Sequence, residues 1–262
     1  MSSQRKHLQT GLAVLLAFGT LSHAGESLRI LTYNDRTSGA DAEDAATHND
    51  WAHRRPLALK LLKDVEPDIV GIQEATDGQI RDLAIGFVVL RKEELALLYR
   101  ADHLEALEGG SFKLGAFGNP DPWGDRWALW QRFRKRSGGT IFTIYVTHLS
   151  TAKDQLPQAK AVVNAAAKEG AQGQPVLVMG DFNFDASKLL IEGGFLDALK
   201  ADTKGTFHAF KGGRDGERID FIATRGLKPL EAGVYTASEP KGTHTIFPSD
   251  HYPVWATFEW PR

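Results

Sequence analysis

Short apolar runs recur along the chain, and six of them end on a polar, acidic or histidine-bearing motif. Residues 28–31, 69–72, 141–146, 176–179, 219–222 and 254–258 are dense in Leu, Ile, Val and Phe and read as β-strands. The motifs are, in chain order, Thr32-Tyr33-Asn34, Gly71-Ile72-Gln73-Glu74, Thr147-His148-Leu149, Gly180-Asp181-Phe182-Asn183, Arg218-Ile219-Asp220 and Ser249-Asp250-His251. The apolar positions Leu57, Leu61 and Leu62 have helical spacing. They predict a helix from Arg55 or Pro56 to Val65, with Pro56 tolerated in its first turn. Further helices are predicted over 77–84, 155–168 and 185–192. Residues 95–99 and 104–114 read as strands, the second with a turn or bulge at Gly109-Gly110. Residues 127–133 and 140–147 read as a hairpin closed by 135–139. Hairpins interspersed with a few helices do not suit a purely parallel sheet.

Polar groups at the ends of strands in a layered fold converge on one rim. Four carboxylates, two histidines and two carboxamides meeting there suit the binding of a hard divalent cation and the movement of protons around a phosphoester. The ordered set, above all Gly-Asp-Phe-Asn followed by Arg-Ile-Asp and then Ser-Asp-His-x-Pro, resembles the endonuclease/exonuclease/phosphatase superfamily. The likeness runs from about Leu28 to Glu259. Any one of these motifs alone is weak; their combination and order are specific.

The resemblance implies an α/β fold, a four-layer sandwich in which two mixed β-sheets pack face to face with helices outside, as in deoxyribonuclease I. It also implies roles. Glu74 would bind the catalytic Mg²⁺ (Mn²⁺ is the alternative ion), with Asn34 beside it and Asp250 as a further metal ligand. Asp181 would position or deprotonate the attacking water, and Asn183, two residues on and on the same side if the strand continues that far, would orient it. Asp220 would hold the His251 imidazole against the scissile phosphate, and His148 would act as general acid or phosphate ligand. Arg126 matches an arginine that meets phosphate in relatives, and Arg36 and His208 are further candidates for the substrate phosphate.

Each residue also has a plainer reading. Glu74 is otherwise a surface carboxylate at a strand end, and Gly-Asp-Phe-Asn is otherwise a turn. Arg126 would be a strand-edge arginine in a local ion pair, and His208 would point outward while Phe207 and Phe210 pack. An acidic partner for His148 is expected between the Glu74 motif and the next strand. Glu93 and Glu94 are the candidates there, and both are otherwise solvated. Asp35 stands where relatives carry an aliphatic residue; it either adds a carboxylate to the site or points to solvent. The stretch from Glu74 to Leu95 is short, whereas the nucleases commonly carry a DNA-touching loop there. That counts against a duplex-DNA specialist.

The N-terminus carries Arg5 and Lys6, then an apolar stretch from Gly11 to Leu21, then Ser22-His23-Ala24. This is the pattern of a secretory signal peptide cleaved before Gly25, and the stretch is too short for a bilayer span. The expected organisation is a signal peptide at 1–24 and one domain at 25–262. The expected location is outside the cytoplasm, secreted or periplasmic, with no integral membrane segment after cleavage. There is no cysteine, so disulfide and thiol chemistry are excluded. A formal net charge of −2 provides no global basic surface for a polyanion. The expected protein is a monomeric Mg²⁺-dependent phosphoesterase using an activated water, with a small molecule, lipid headgroup or nucleic acid as substrate. A DNA or RNA nuclease is the rival within the enzyme class. A non-catalytic binding module on the same fold is the rival outside it, disfavoured because all eight motif residues are present together.

Overall fold

The computed structural model describes residues 27–115, 124–151 and 153–260. The expected signal peptide lies outside them. In chain order the elements are β1 (Ser27–Asn34), α1 (Asp41–Asp44), α2 (Trp51–Val65), β2 (Ile69–Gln73), α3 (Asp77–Leu83), β3 (Val88–Lys92), β4 (Leu95–Tyr99), β5 (Leu104–Leu114), β6 (Arg126–Lys135) and β7 (Ile141–His148). There follow α4 (Gln155–Gly170), β8 (Val176–Asp181), α5 (Ser187–Glu192), β9 (Leu196–Asp197), β10 (Asp220–Arg225), β11 (Lys228–Val234), β12 (Glu239–Lys241), β13 (His244–Ile246) and β14 (Val254–Glu259).

Twelve strands form two six-stranded sheets, ordered β11-β14-β1-β2-β4-β3 and β5-β6-β7-β8-β10-β9, and β12 pairs with β13 in a separate ribbon. Both large sheets are mixed. β1 and β2 run parallel, as do β7 and β8, while their outer neighbours are antiparallel.

Side-chain alternation builds the layers. Leu28 and Ile30 of β1, Phe142, Ile144 and Val146 of β7, and Leu177 and Met179 of β8 share one core between the sheets. The opposite face of the first sheet, Leu31, Tyr33, Val70 and Ile72, packs on Leu61, Leu62 and Ile80 of α2 and α3. The opposite face of the second sheet, Tyr145, Val178 and Phe221, packs on Val162, Ala166 and Leu190 of α4 and α5. The expected four-layer sandwich is therefore what the chain forms. Each fully buried Leu, Ile or Phe contributes about 1.5–3 kcal/mol to that assembly. Gly71 lets the sheets approach in the middle. A Cβ there would meet Met179 Cε at 2.4 Å and Val146 Cγ2 at 3.1 Å.

The register places the motifs. Asn34, His148, Asp181 and Asp220 have the parity of the inter-sheet residues on their own strands, so they extend the inner faces to one rim. That rim is the C-terminal end of β1, β2, β7 and β8. Because β4, β6, β10 and β14 run antiparallel to these, their starts fall on the same rim. Glu94, Arg126, Asp220 and His251 arrive there for that reason.

Two expectations are corrected. The helix begins at Trp51, not at Arg55 or Pro56, so Pro56 sits inside it. Pro56 forfeits one main-chain bond, but Asp41 Oδ1 accepts from Trp51 N at 2.8 Å and the buried Arg54 fixes the first turns. Strand β8 stops at Asp181, so Asp181 and Asn183 are not alternate residues of one strand.

Candidate active site

The centre of the rim is a row of three residues in register. His148 is opposite Asp181 across the parallel β7–β8 pair, and Asp181 is opposite Asp220 across the antiparallel β8–β10 pair. Asp181 Oδ2 is the hub. Asn34 Nδ2 donates to it at 3.0 Å, His148 Nε2 lies 3.6 Å away and His251 Nε2 3.8 Å away. Its other oxygen, Oδ1, accepts the main-chain N–H of Asn183 at 2.8 Å. Burial, with Asp220 adding to it, raises the Asp181 pKa against the pull of His251 and His148.

Glu74 follows β2 in the left-handed region, at φ 66°. For a non-glycine residue this is a conformation the surroundings must impose. The turn aims its carboxylate back at β1, where Asn34 Nδ2 donates to Oε1 at 3.0 Å and Thr37 N to Oε2 at 3.2 Å. Burial by itself would raise the Glu74 pKa; the nearby His148 and the Asn34 bond overcome it and hold the carboxyl below its ordinary value.

Asp220 Oδ2 is 3.0 Å from His251 Nδ1. Burial alone would strip the proton from His251. Asp220, Asp181 and Asp250 instead raise its pKa well above the ordinary histidine value, so the ring is held as imidazolium. Asp250 is buried, accepts from Ser249 Oγ at 3.1 Å, and has its pKa raised by burial, with Glu74 adding to the effect.

His148 has a support that only tertiary proximity reveals. Arg126 Nη1 lies 3.0 Å from its Nδ1 and 3.1 Å from Glu94 Oε1. A guanidinium only donates, so in the neutral ring Nδ1 would be the acceptor and the proton would sit on Nε2, turned toward Glu74 and Asp181. Of the two expected acidic partners, Glu94 is therefore at the site, 3.6 Å from His148 Nδ1, whereas Glu93 pairs with Lys92 at the surface. Arg126, expected on the substrate phosphate, is only 4% exposed and is turned onto His148 and Glu94.

Asn183 also differs from its expected geometry. It sits in the left-handed region at φ 57°, which asparagine tolerates, and its Nδ2 donates to the Leu149 carbonyl at 2.8 Å. Its contribution to Asp181 is made by the backbone. Arg36 stays at the mouth, paired with Asp44 at 3.1 Å, and its charge reaches Asp250. His208 packs among aromatic rings instead of reaching the carboxylates. Its ring stacks on Tyr252 at 4.0 Å and meets Phe247 at 4.6 Å. Phe207 is the residue left outward, 42% exposed, with its ring 4.9 Å from that of His251.

Two further residues carry no local sequence signal, and a third resolves an open alternative. Thr206 Oγ1 accepts from the N–H groups of both Ile219 and Asp220 at 3.1 Å, and its carbonyl takes the N–H of Tyr252 at 2.7 Å. It thereby clamps the start of β10 to the Ser249–Tyr252 turn. Arg54, with no exposed surface, donates to the carbonyls of Asp35 at 2.6 Å, Arg36 at 2.8 Å and Pro248 at 3.1 Å. It ties the loop after Asn34 to the turn that carries Asp250 and His251. Asp35 is fully buried, with neither carboxylate oxygen hydrogen-bonded. Its pKa is raised well above the ordinary value by burial and by Glu74, against Arg54. The solvent-facing alternative for Asp35 is thus excluded.

The donor set fits a hard divalent cation. Glu74, Asp181, Asp220 and Asp250 crowd one partly buried rim with an amide between them, and ligand atoms of Asp181, Asp220 and His251 lie within 4.8 Å of one another. Carboxylate and amide oxygens in such density are the ligands Mg²⁺ and Mn²⁺ take.

Comparison with known proteins agrees with this geometry. A search of curated proteins by sequence finds no match. Among solved structures, the fold superposes on a mannosyl-6-phosphatase of Bacteroides thetaiotaomicron with a TM-score of 0.80 and 23% identity, covering 89% of this chain and 100% of that one. An endonuclease/exonuclease/phosphatase of Bacteroides vulgatus gives 0.75 and 25%, covering 90% and 99%. Truncated TDP2 of Caenorhabditis elegans gives 0.67 and 21%, covering 89% and 98%. Residues 38–251 match the Endonuclease/Exonuclease/phosphatase family, and the chain belongs to that family of metal-dependent phosphoesterases.

Proposed function

We propose that this chain is an exported, Mg²⁺-dependent phosphoesterase that hydrolyses a small phosphoester by in-line attack of water. The observation that carries the reading is the convergence on Asp181 Oδ2 of Asn34, His148 and His251, with Asp220 behind His251. Glu74, with Asn34 and Asp250 beside it, would hold the cation, which when bound neutralises charge on the phosphoryl oxygens and leaving group.

The chain's own residues do the rest. Asp181, buried and with a raised pKa, accepts the proton of the attacking water. The Asn183 N–H and the Asn34 amide fix its orientation. His251, kept charged by Asp220, donates from Nε2 toward the developing negative charge on phosphorus. His148 carries a proton on Nε2, where it can reach the leaving oxygen, and Arg126 anchored on Glu94 sets that tautomer. Arg36 at the mouth attracts the anionic substrate.

Three considerations favour a small phosphoester: the slightly acidic net charge, the short connection between Glu74 and β4, and the likeness in fold to a sugar-phosphate phosphatase. The test is hydrolysis of mannose 6-phosphate, an inositol phosphate, bis-p-nitrophenyl phosphate, sphingomyelin, RNA and plasmid DNA, with Mg²⁺, Mn²⁺ or EDTA. Small-ester cleavage abolished by EDTA and by Asp181→Ala is expected. Preferred cleavage of DNA or RNA, steeply lost with salt, would replace the small-ester reading with a nuclease. Silence across the panel would leave the binding module. Export is tested separately, by N-terminal sequencing of the protein recovered outside the cytoplasm, which should begin at Gly25.

A further inference from the structure

Three histidines outside all six motifs meet on the surface. His48 ends a short 3₁₀ turn, His53 lies in the first turn of α2, and His244 opens β13, nearly two hundred residues later. The His48 ring centroid is 4.7 Å from that of His53 and 5.7 Å from that of His244, both in edge-to-face contact. From these contacts we propose that His48, His53 and His244 form a second metal site. It would select a borderline divalent cation of the zinc, nickel or copper class and be separate from the carboxylate rim.

The ring spacings of His48 from His53 and from His244 are close to those of shared coordination. Two imidazoles on one tetrahedral cation, with metal–nitrogen bonds of about 2.1 Å, have ring centroids roughly 5 Å apart. Two independent features support a ligand there. His48 Nδ1, on the ring that touches both of the others, is buried with no hydrogen-bond partner. His53 Nδ1 is 2.6 Å from Asp50 Oδ2. That pairing fixes the imidazole and leaves Nε2 for a metal, the arrangement in which a carboxylate orients a ligating histidine. Imidazole nitrogens suit borderline cations, while Mg²⁺ prefers the oxygens of the rim.

The fold gives such a site a structural role. The β12–β13 ribbon belongs to neither six-stranded sheet, and Glu239–Lys241 and His244 are all exposed. A lone two-stranded hairpin is marginally stable in water. A cation shared by His244 and the His48–His53 segment would pin the ribbon to the start of α2. Phe247 to His251 follow the ribbon directly, so the clip would also steady the turn bearing Asp250 and His251. Among the described residues, Asp181, Asp220 and His251 are the one group with three ligand atoms within 4.8 Å of one another, so the histidine trio would close on a cation only with an inward swing of the exposed His244.

The test is calorimetric titration of Zn²⁺ into the full-length mature protein in saturating Mg²⁺, paired with Co²⁺ absorption spectra and melting curves. One Zn²⁺ per chain, a visible Co²⁺ band of low coordination number and a rise in melting temperature are expected. Affinity should fall roughly tenfold or more in His244→Ala and in Asp50→Ala. His48→Asn, which keeps a residue tolerant of φ 60°, should do the same. Glu74→Gln should leave Zn²⁺ binding intact, which separates this site from the catalytic rim. Unchanged Zn²⁺ affinity in His244→Ala and His48→Asn, or no Zn²⁺ binding in the Mg²⁺-saturated protein, would overturn the assignment.

Discussion

Asp220 at the first position of β10 faces His251 across 3.0 Å, from Oδ2 to Nδ1. The pair decides the charge at the far side of the ring. Burial opposes the imidazolium, yet Asp220, Asp181 and Asp250 together win, so Nε2 keeps a proton 3.8 Å from Asp181 Oδ2.

Replacing Asp220 by Asn keeps a hydrogen-bonding group of the same size and removes the charge. Turnover should fall on the order of 10²–10⁴-fold, as when an orienting carboxylate is lost from a histidine. The pH profile checks the cause. A raised His251 pKa keeps the ring charged as pH rises, so the alkaline limb of kcat/KM in wild type sits above ordinary histidine titration. In Asp220→Asn that limb should move to lower pH. A lower rate with an unmoved limb would show that Asp220 only holds structure.

Asp250 makes a prediction about the metal-free protein. Its folded pKa is raised, so its contribution is most favourable below the unfolded carboxylate pKa and is lost as pH rises through the folded value. At neutral pH its ionised form therefore works against the metal-free fold, a cost that a bound cation offsets. Asp250→Asn should melt no lower than wild type in EDTA, while its gain in melting temperature on adding Mg²⁺ should shrink. A variant that loses stability in EDTA but keeps the full Mg²⁺ response would contradict a ligand role.

The motifs are legible because their neighbours are. The apolar runs predict six strands, of which β1, β2, β7 and β8 extend by one to three residues into their motifs, while β10 begins one residue late, at Asp220, and runs on to Arg225, and β14 runs one residue further, to Glu259. Those extensions are physical: Asn34, His148 and Asp181 continue the inner-face alternation to the rim. The edge strand β3, the ribbon and β11 are not legible. β11 carries Pro229, Glu231 and Gly233 and packs on one side only, so it lacks an apolar signature. Thr206 and Arg54 escape a reading of the sequence for a different reason, which also leaves Glu94 and Glu93 undecided there. Their roles depend on which strand starts reach the rim and which carbonyls surround a helix, and no local pattern encodes that. Arg126 and Asn183 stand out by motif, but the motif does not say whether a group touches substrate or holds a neighbour.

The glycine of Gly-Asp-Phe-Asn is a backbone requirement separable from chemistry. At Gly180, φ is 138° and an added Cβ would lie 1.9 Å from the Thr147 carbonyl oxygen. Backbone cannot yield as a side chain can, so Gly180→Ala should cost more than about 3 kcal/mol and abolish Mg²⁺ binding with it. Gly71→Ala presses instead on the flexible end of Met179 and should cost about 1–3 kcal/mol. Urea unfolding of the two variants gives the order. An equal loss would mean that the β7–β8 spacing adapts as easily as a methionine.

His208 gives the protein an acid sensitivity that belongs to the aromatic packing around it. Burial, aided by the charge on His251, pulls its pKa down from the ordinary histidine value to about 4. A depressed folded pKa means that the unfolded chain takes up the proton first. The stability of the neutral, stacked ring is therefore complete above the unfolded value of 6.5 and is lost as pH falls toward about 4. Full linkage over that window is on the order of 3 kcal/mol. Stacking on Tyr252 survives in His208→Phe, while the titration does not. The variant should be less stable than wild type at neutral pH by no more than about 1.5 kcal/mol. Its unfolding free energy should fall less steeply between pH 6.5 and about 4, measured by urea titration at each pH in EDTA. Parallel pH dependences for the two proteins would show that the carboxylate rim, not His208, sets the acid limit of the fold.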